Sequence, residues 1–111
     1  FFHPPPATPD AQEARGLGDV YKRQGKLVHG EKITWAFWDV EKDAVVPEHS
    51  HHHEQIMHVL DGEFEFILNG NKKIYKNGDV VVIPSNAPHS GKAITKCKLM
   101  DVFSPVREEY K

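Results

Sequence analysis

Short runs of β-branched and aromatic residues, punctuated at near-regular intervals by tight-turn pairs, leave this chain few ways to fold. Asp61-Gly62, Asn69-Gly70-Asn71 and Asn77-Gly78-Asp79 read as turns, because Gly, Asn and Asp accept the backbone conformations that sharp reversals need. Between and after them lie His58 to Leu68, Lys72 to Lys76 and Val80 to Ile83. Pro84 to Pro88 and Ser90-Gly91 then set off a last segment, Ala93 to Phe103. Further upstream, Ile33, Trp35 and Phe37 alternate with Thr34, Ala36 and Trp38, the period of two that a strand imposes. Successive segments are expected to pair as hairpins. No span carries the period of an amphipathic helix. The expectation is an all-β domain, a small antiparallel sandwich or barrel that holds one ligand at its mouth.

A chain of 111 residues has room for one such domain and not two. Its first 24 residues differ from the rest: Phe1 to Asp10 carries four of the eight prolines, and Ala11 to Gln24 has no sustained apolar period. Neither stretch can bury much surface, so residues 1–24 are expected to be a disordered or non-native extension. Gly16 to Gln24 resembles a translated sequencing-library adapter, which would start the native protein near Gly25 and make residues 25–111 the folded domain. With 14 Lys and Arg against 16 Asp and Glu, the net charge of −2 excludes the basic surface that tracks a nucleic-acid backbone. No apolar run approaches the ~20 residues of a membrane-spanning helix, so neither nucleic acid nor membrane is expected as a partner. Cys97 is the one cysteine. It excludes an internal disulfide framework and a thiolate zinc site, reads as an ordinary strand residue, and fits a reducing, cytoplasmic setting.

Any metal must therefore be held by nitrogen and oxygen. Five of the eight histidines, His49, His51, His52, His53 and His58, fall within ten residues. On a strand, His49 and His51 point to one face, which aims two imidazoles at one ion. Gln55 can share that face, and His89 is the candidate fourth ligand because Pro84 and Pro88 fix its loop. His53 has the same parity but would crowd its neighbours. Glu54 points away from a regular strand and replaces Gln55 only if the strand is irregular. Asp101 and Phe103 share a face of the last strand. If that face is interior, Asp101 is a carboxylate in an enclosed site, its pKa raised by burial and lowered by a nearby cation.

The spacing His49, His51, Gln55, Gly62, followed by Gly78, Pro84, His89, resembles the two sequence motifs of the cupin superfamily. Asp43 and Asn86 stand where those motifs have Gly, and both residue types tolerate the left-handed region. Ala93 stands in place of Asn, and Gln55 in place of the usual Glu. A neutral amide leaves a divalent ion with more net positive charge, which favours Lewis-acid chemistry over redox. Together with Asp101 to Glu108, these motifs resemble the small cupins of pectin and alginate catabolism that open the ring of 4,5-unsaturated monouronates. The resemblance spans about Lys26 to Tyr110 and implies a double-stranded β-helix, jelly-roll-like barrel. It implies one divalent ion, nickel, zinc, manganese, cobalt or iron, on His49, His51, Gln55 and His89. It further implies a sugar-acid substrate facing Asp101, Phe103 and Arg107, with Arg107 clamping the carboxylate. Small cupins often pair as homodimers through N-terminal strands, so a homodimer stays open here. The barrel and ligands also allow another cupin enzyme, an isomerase or dioxygenase, or a non-catalytic sugar- or metal-binding module.

Overall fold

In the strand Thr34–Val40 the alternation becomes a layer: Thr34, Ala36, Trp38 and Val40 are buried, while Trp35, Phe37 and Asp39 are only half-buried on the opposite face. Periodicity alone left the choice of face open. It is settled by a second sheet lying against the Trp38 side, while the Trp35 and Phe37 rings stack on the outside with centroids 6.3 Å apart. The structure, a computed structural model, describes residues 22–110. Its strands are β1 (Arg23–His29), β2 (Thr34–Val40), β3 (Val45–His49), β4 (Glu54–Asp61), β5 (Phe64–Leu68), β6 (Asn71–Tyr75), β7 (Val80–Ile83), β8 (His89–Ala93) and β9 (Cys97–Ser104), with a 3-10 turn at Glu108–Tyr110. They form two antiparallel sheets, ordered β1-β2-β9-β4-β7 and β3-β8-β5-β6, the two-layer jelly-roll arrangement expected of the all-β reading.

The core lies between the sheets. Trp38, Met57, Val59 and Leu99 of the first sheet meet Phe64, Phe66 and Tyr75 of the second, and burying each large apolar side chain contributes about 1.5–3 kcal/mol. Among the described residues, only β1–β2 and β5–β6 are hairpins. Asn77-Gly78 is a turn as expected, whereas Asp61 ends β4 and Gly62 forms only a bend, and each of the two places carries the chain from one sheet to the other. A turn pair specifies that the chain reverses, not which strand it pairs with next, so the hairpin expectation failed at both places. Gly62, Gly70 and Gly78 all have positive φ, and Asp43 (φ 69°) and Asn86 (φ 65°) take the left-handed conformation anticipated for them.

Two further expectations are corrected. Ser90-Gly91 is not a separator but lies inside β8, with Gly91 opposite Val46 on one side and Phe66 on the other. Glycine serves close packing there, since a Cβ would collide with the Phe64 ring. The expected strand from Ala93 to Phe103 is instead broken at residues 94–96, where the chain passes from β8 to β9. At the other end, Arg23 and Gln24 pair with Val40 and Asp39, so β1 begins ahead of Gly25. Residues 1–21, the rest of the expected extension, lie outside the described residues.

Candidate functional site

Sheet register brings the first two histidines together. His49, the last residue of β3, stands directly opposite His89, the first of β8, and their ring centroids are 4.3 Å apart. His51 does not share a strand with His49, as the parity argument assumed. β3 carries a register shift between Val46 and His49 and ends at His49, and residues 50–53 form a loop. That loop is laced to the proline loop before His89: the Asn86 amide donates to the His51 carbonyl at 2.7 Å, and the Ser85 hydroxyl donates to the His52 carbonyl. Loop contacts, not strand parity, thus deliver the third imidazole, 5.0 Å from His89. Ligand atoms of His49, His51 and His89 all lie within 4.8 Å of one another.

Each of the three rings is anchored by a backbone carbonyl at its Nδ1: Pro47 for His49 (2.9 Å), His53 for His51 (3.0 Å) and Ala87 for His89 (2.9 Å). A carbonyl only accepts, so Nδ1 carries the proton and the lone pair of a neutral ring sits on Nε2. Neutrality is favoured by the surroundings. Burial, aided by the Arg107 charge, lowers His51 to about 4, and burial first and foremost lowers His49 and His89 as well.

Gln55, on β4, is buried beside them, whereas Glu54 is exposed on the outer face. The Gln55 amide Nε2 donates to Asp101 Oδ1 at 2.9 Å, which leaves its Oε1 facing His51 Nε2 at 3.2 Å. Two lone pairs therefore confront each other beside two further imidazoles. A cation between such acceptors satisfies them all, and imidazole nitrogen with amide oxygen is a donor set that divalent transition ions accept. The residues present fit a metal. His53 does not join them. It is buried with Nε2 toward the Val106 carbonyl at 3.3 Å.

Asp101 lies on the inner face of β9, opposite Ala36 and Met57. Its second oxygen accepts from the Trp38 indole at 2.9 Å. Burial raises its pKa to about 6, and the hydrogen bonds from Gln55 and Trp38 and the charges of Arg23 and Arg107 oppose that rise without cancelling it. Phe103, two residues on, meets His51 edge-on at 5.9 Å. Past Ser104 the chain folds back over it: the Arg107 amide donates to the Thr34 hydroxyl at 2.8 Å, and the Arg107 guanidinium sits between the Phe103 and Tyr110 rings, 4.7 and 4.4 Å from their centroids. Its Nε and Nη2 both contact one oxygen of Glu109 at 2.6 Å. Burial pushes Glu109 up, but its own backbone amide and the Arg107 charge outweigh that and hold it below the usual carboxylate range.

All seven residues singled out from the sequence border one cavity of about 210 Å³. His49, His51, Gln55 and His89 form its metal-competent end, and Asp101, Phe103 and Arg107 also line it. Sequence reasoning missed Trp38, Tyr110 and Arg23, which line the cavity too, and Glu109. Trp38 carried a signal, since it lies on the same alternating strand face as Thr34 and Ala36, and Glu109 follows Arg107 at a spacing of two. Arg23, 3.9 Å over the Trp38 ring, lay in the segment read as an extension and carried none.

The cupin domain family matches residues 36–103. The pectin degradation protein KdgF of Dickeya dadantii (strain 3937) is 31% identical over 96 residues, spanning 85% of this chain and 86% of that protein. The solved structure of KdgF from Halomonas sp. superposes with a TM-score of 0.75 at 31% identity, covering 78% of this chain and 82% of the other. An RmlC-like cupin from Shewanella frigidimarina gives 0.79 at 26% identity, covering 82% and 83%. The family match runs from the inner face of β2 to Phe103 and so takes in both histidine motifs and the two sheets that carry them, which makes this chain a member of the cupin domain family.

Proposed function

We propose that this chain is a metal-dependent enzyme of pectin or alginate breakdown that opens the ring of 4,5-unsaturated monouronates, releasing the linear 4-deoxy-5-keto uronate. The observation that carries the reading is the pairing, in one cavity, of four convergent acceptors with a carboxylate and a guanidinium. The likeness to pectin degradation proteins supports it. A cavity of about 210 Å³ lies below the roughly 300–1,000 Å³ typical of drug-sized ligand sites and suits one sugar ring.

The substrate is a cyclic hemiacetal whose ring oxygen is an enol-ether oxygen beside a carboxylate. Opening breaks the bond from the anomeric carbon to the ring oxygen, forms an aldehyde as the anomeric hydroxyl gives up its proton, and leaves an enolate. Protonation of the adjacent carbon then gives the ketone, so the net reaction is an isomerisation. His49, His51, Gln55 and His89 would hold the divalent ion, which supplies electrostatic stabilisation of the enolate oxygen. Arg107, held against Phe103 and Tyr110 and engaged by Glu109 through Nε and Nη2, receives the substrate carboxylate on the other edge of its guanidinium. Asp101, with a pKa raised to about 6 by burial, is poised near neutrality to move the proton. Phe103 forms the wall that excludes water from the reacting end.

The test mixes purified protein, with and without chelator, with unsaturated galacturonate or mannuronate monomer and follows the ultraviolet absorbance of the conjugated double bond. Chelator-sensitive loss of absorbance is the expected result. Saturable binding without loss would instead identify a non-catalytic sugar-binding module, and oxygen uptake with bound iron a dioxygenase. A folded domain whose first strand starts at Arg23, a homodimer and a cytoplasmic location belong to the same reading. Limited proteolysis tests the domain boundary, and light scattering on the full chain tests the homodimer.

A further inference from the structure

The amide at position 55 and the carboxylate at position 101 form one unit, and its polarity decides which atom meets the histidines. Trp38 Nε1 can only donate, and it bonds Asp101 Oδ2 at 2.9 Å. An ionised carboxylate can only accept, so Gln55 must turn its NH2 toward Oδ1, at 2.9 Å. The carbonyl Oε1 then has no choice but to face His51. Rotated by half a turn, Gln55 would set two acceptors against each other at Asp101 and present a donor to the metal-competent end.

We infer that Asp101, besides the proton transfer proposed above, is also a positioning residue: it locks the Gln55 carboxamide with its oxygen toward His49, His51 and His89, and a carboxylate at 101 is why position 55 carries Gln in place of Glu. The inference rests on the metal-binding reading of the three histidines. Glu at 55 would oppose Asp101 with a like charge across a buried hydrogen-bond distance, where the low dielectric makes repulsion strong. Gln provides both the donor that Asp101 requires and the acceptor that a cation requires. The identities of the two positions are therefore coupled: Gln with Asp, or Glu with Asn.

Asp101→Asn reverses the lock. Trp38 draws the new carbonyl, the new NH2 faces position 55, and Gln55 turns over so that its oxygen accepts from Asn while its own NH2 donates to His51 Nε2. Every group stays bonded, so the fold is retained, but a donor now points at the cation position. Adding Gln55→Glu restores an acceptor on both sides. Isothermal titration of the full chain with Co²⁺ alone, on the wild type, D101N, Q55E and Q55E/D101N, tests this without any substrate. D101N is expected to weaken Co²⁺ binding about 10- to 100-fold, the usual effect of losing a residue that orients a ligand, and Q55E/D101N to recover it. Thermal melts in chelator give a second readout: Gln55→Glu lowers the melting temperature when Asp101 is present and not when Asn is. D101N binding within about twofold of the wild type, well short of the usual loss, overturns the inference, as does a Gln55→Glu effect that is the same in both backgrounds. If the wild type itself fails to bind Co²⁺, the three-histidine reading falls and this inference with it. If the wild type binds and only the coupling is missing, the inference alone falls.

Discussion

The buried carboxylic acid at 101 should support the fold at acid pH and lose that contribution as pH rises to neutrality. In the fold its pKa is raised from 3.8 to about 6, first by burial, against the opposing effects of the Gln55 and Trp38 hydrogen bonds and the Arg23 and Arg107 charges. The folded state thus favours the protonated acid. Its contribution is fully present below the unfolded pKa and is lost as pH rises through about 6, the unfolded chain releasing its proton first. With each pKa unit equivalent to about 1.36 kcal/mol, and with pH 4 already just above the unfolded pKa, the wild type loses about 2 kcal/mol from this group between pH 4 and pH 7. Asp101→Asn keeps the volume and, with Gln55 turned, the hydrogen bonds, but does not titrate. Urea unfolding of both proteins in excess chelator, at pH 4 and pH 7, should show the variant gaining about 2 kcal/mol relative to the wild type at the higher pH. Taking the difference between the proteins reduces the background from His49 and His89, whose lowered pKa values act in the opposite sense over the same window. A difference independent of pH would refute the claim that burial governs Asp101.

Three further outcomes follow from the same geometry. Saturation with a divalent ion at 100 times its dissociation constant should stabilise the wild type by about 2.7 kcal/mol, seen as a higher midpoint in thermal melts, and His89→Ala should abolish the gain; equal stabilisation of both proteins would place the ion elsewhere. Arg107→Lys exchanges a planar fork for a point charge, so KM for an unsaturated uronate should rise about tenfold with kcat little changed, and an unaltered KM in steady-state assays would remove Arg107 as the carboxylate clamp. Gly91→Ala drives a methyl into the Phe64 ring and should cost about 1–3 kcal/mol in urea unfolding; a neutral result would mean that β8 can shift away from the core.

Much of the site was legible because metal ligation is written in residue type. Imidazoles at 49, 51 and 89 with an amide at 55 are a donor set wherever they meet, and two spaced motifs announced that they do. The route by which they meet was less legible. His51 reaches the cluster from a loop pinned by Asn86 and Ser85, and no periodicity reports a contact between two loops. Ser90-Gly91 looked like a turn because Gly favours turns, yet it packs under Phe64, a preference overridden by a tertiary contact. Glu109 and Tyr110, which seat Arg107, carried no motif because their role consists only of where the chain folds back.

Strand period, turn positions and the ionisable side chains are local properties, and the amino-acid sequence by itself determined them: an all-β chain with a nitrogen and oxygen donor set near its middle. Which face of β2 turns inward, which strands become neighbours, and which atom of Gln55 faces the histidines were decided by the tertiary structure alone. Those outcomes depend on partners far away along the chain. Asp101 lies 63 residues from Trp38 and 46 from Gln55, and the direction of a hydrogen bond exists only once donor and acceptor have been brought together in a space that water cannot reach.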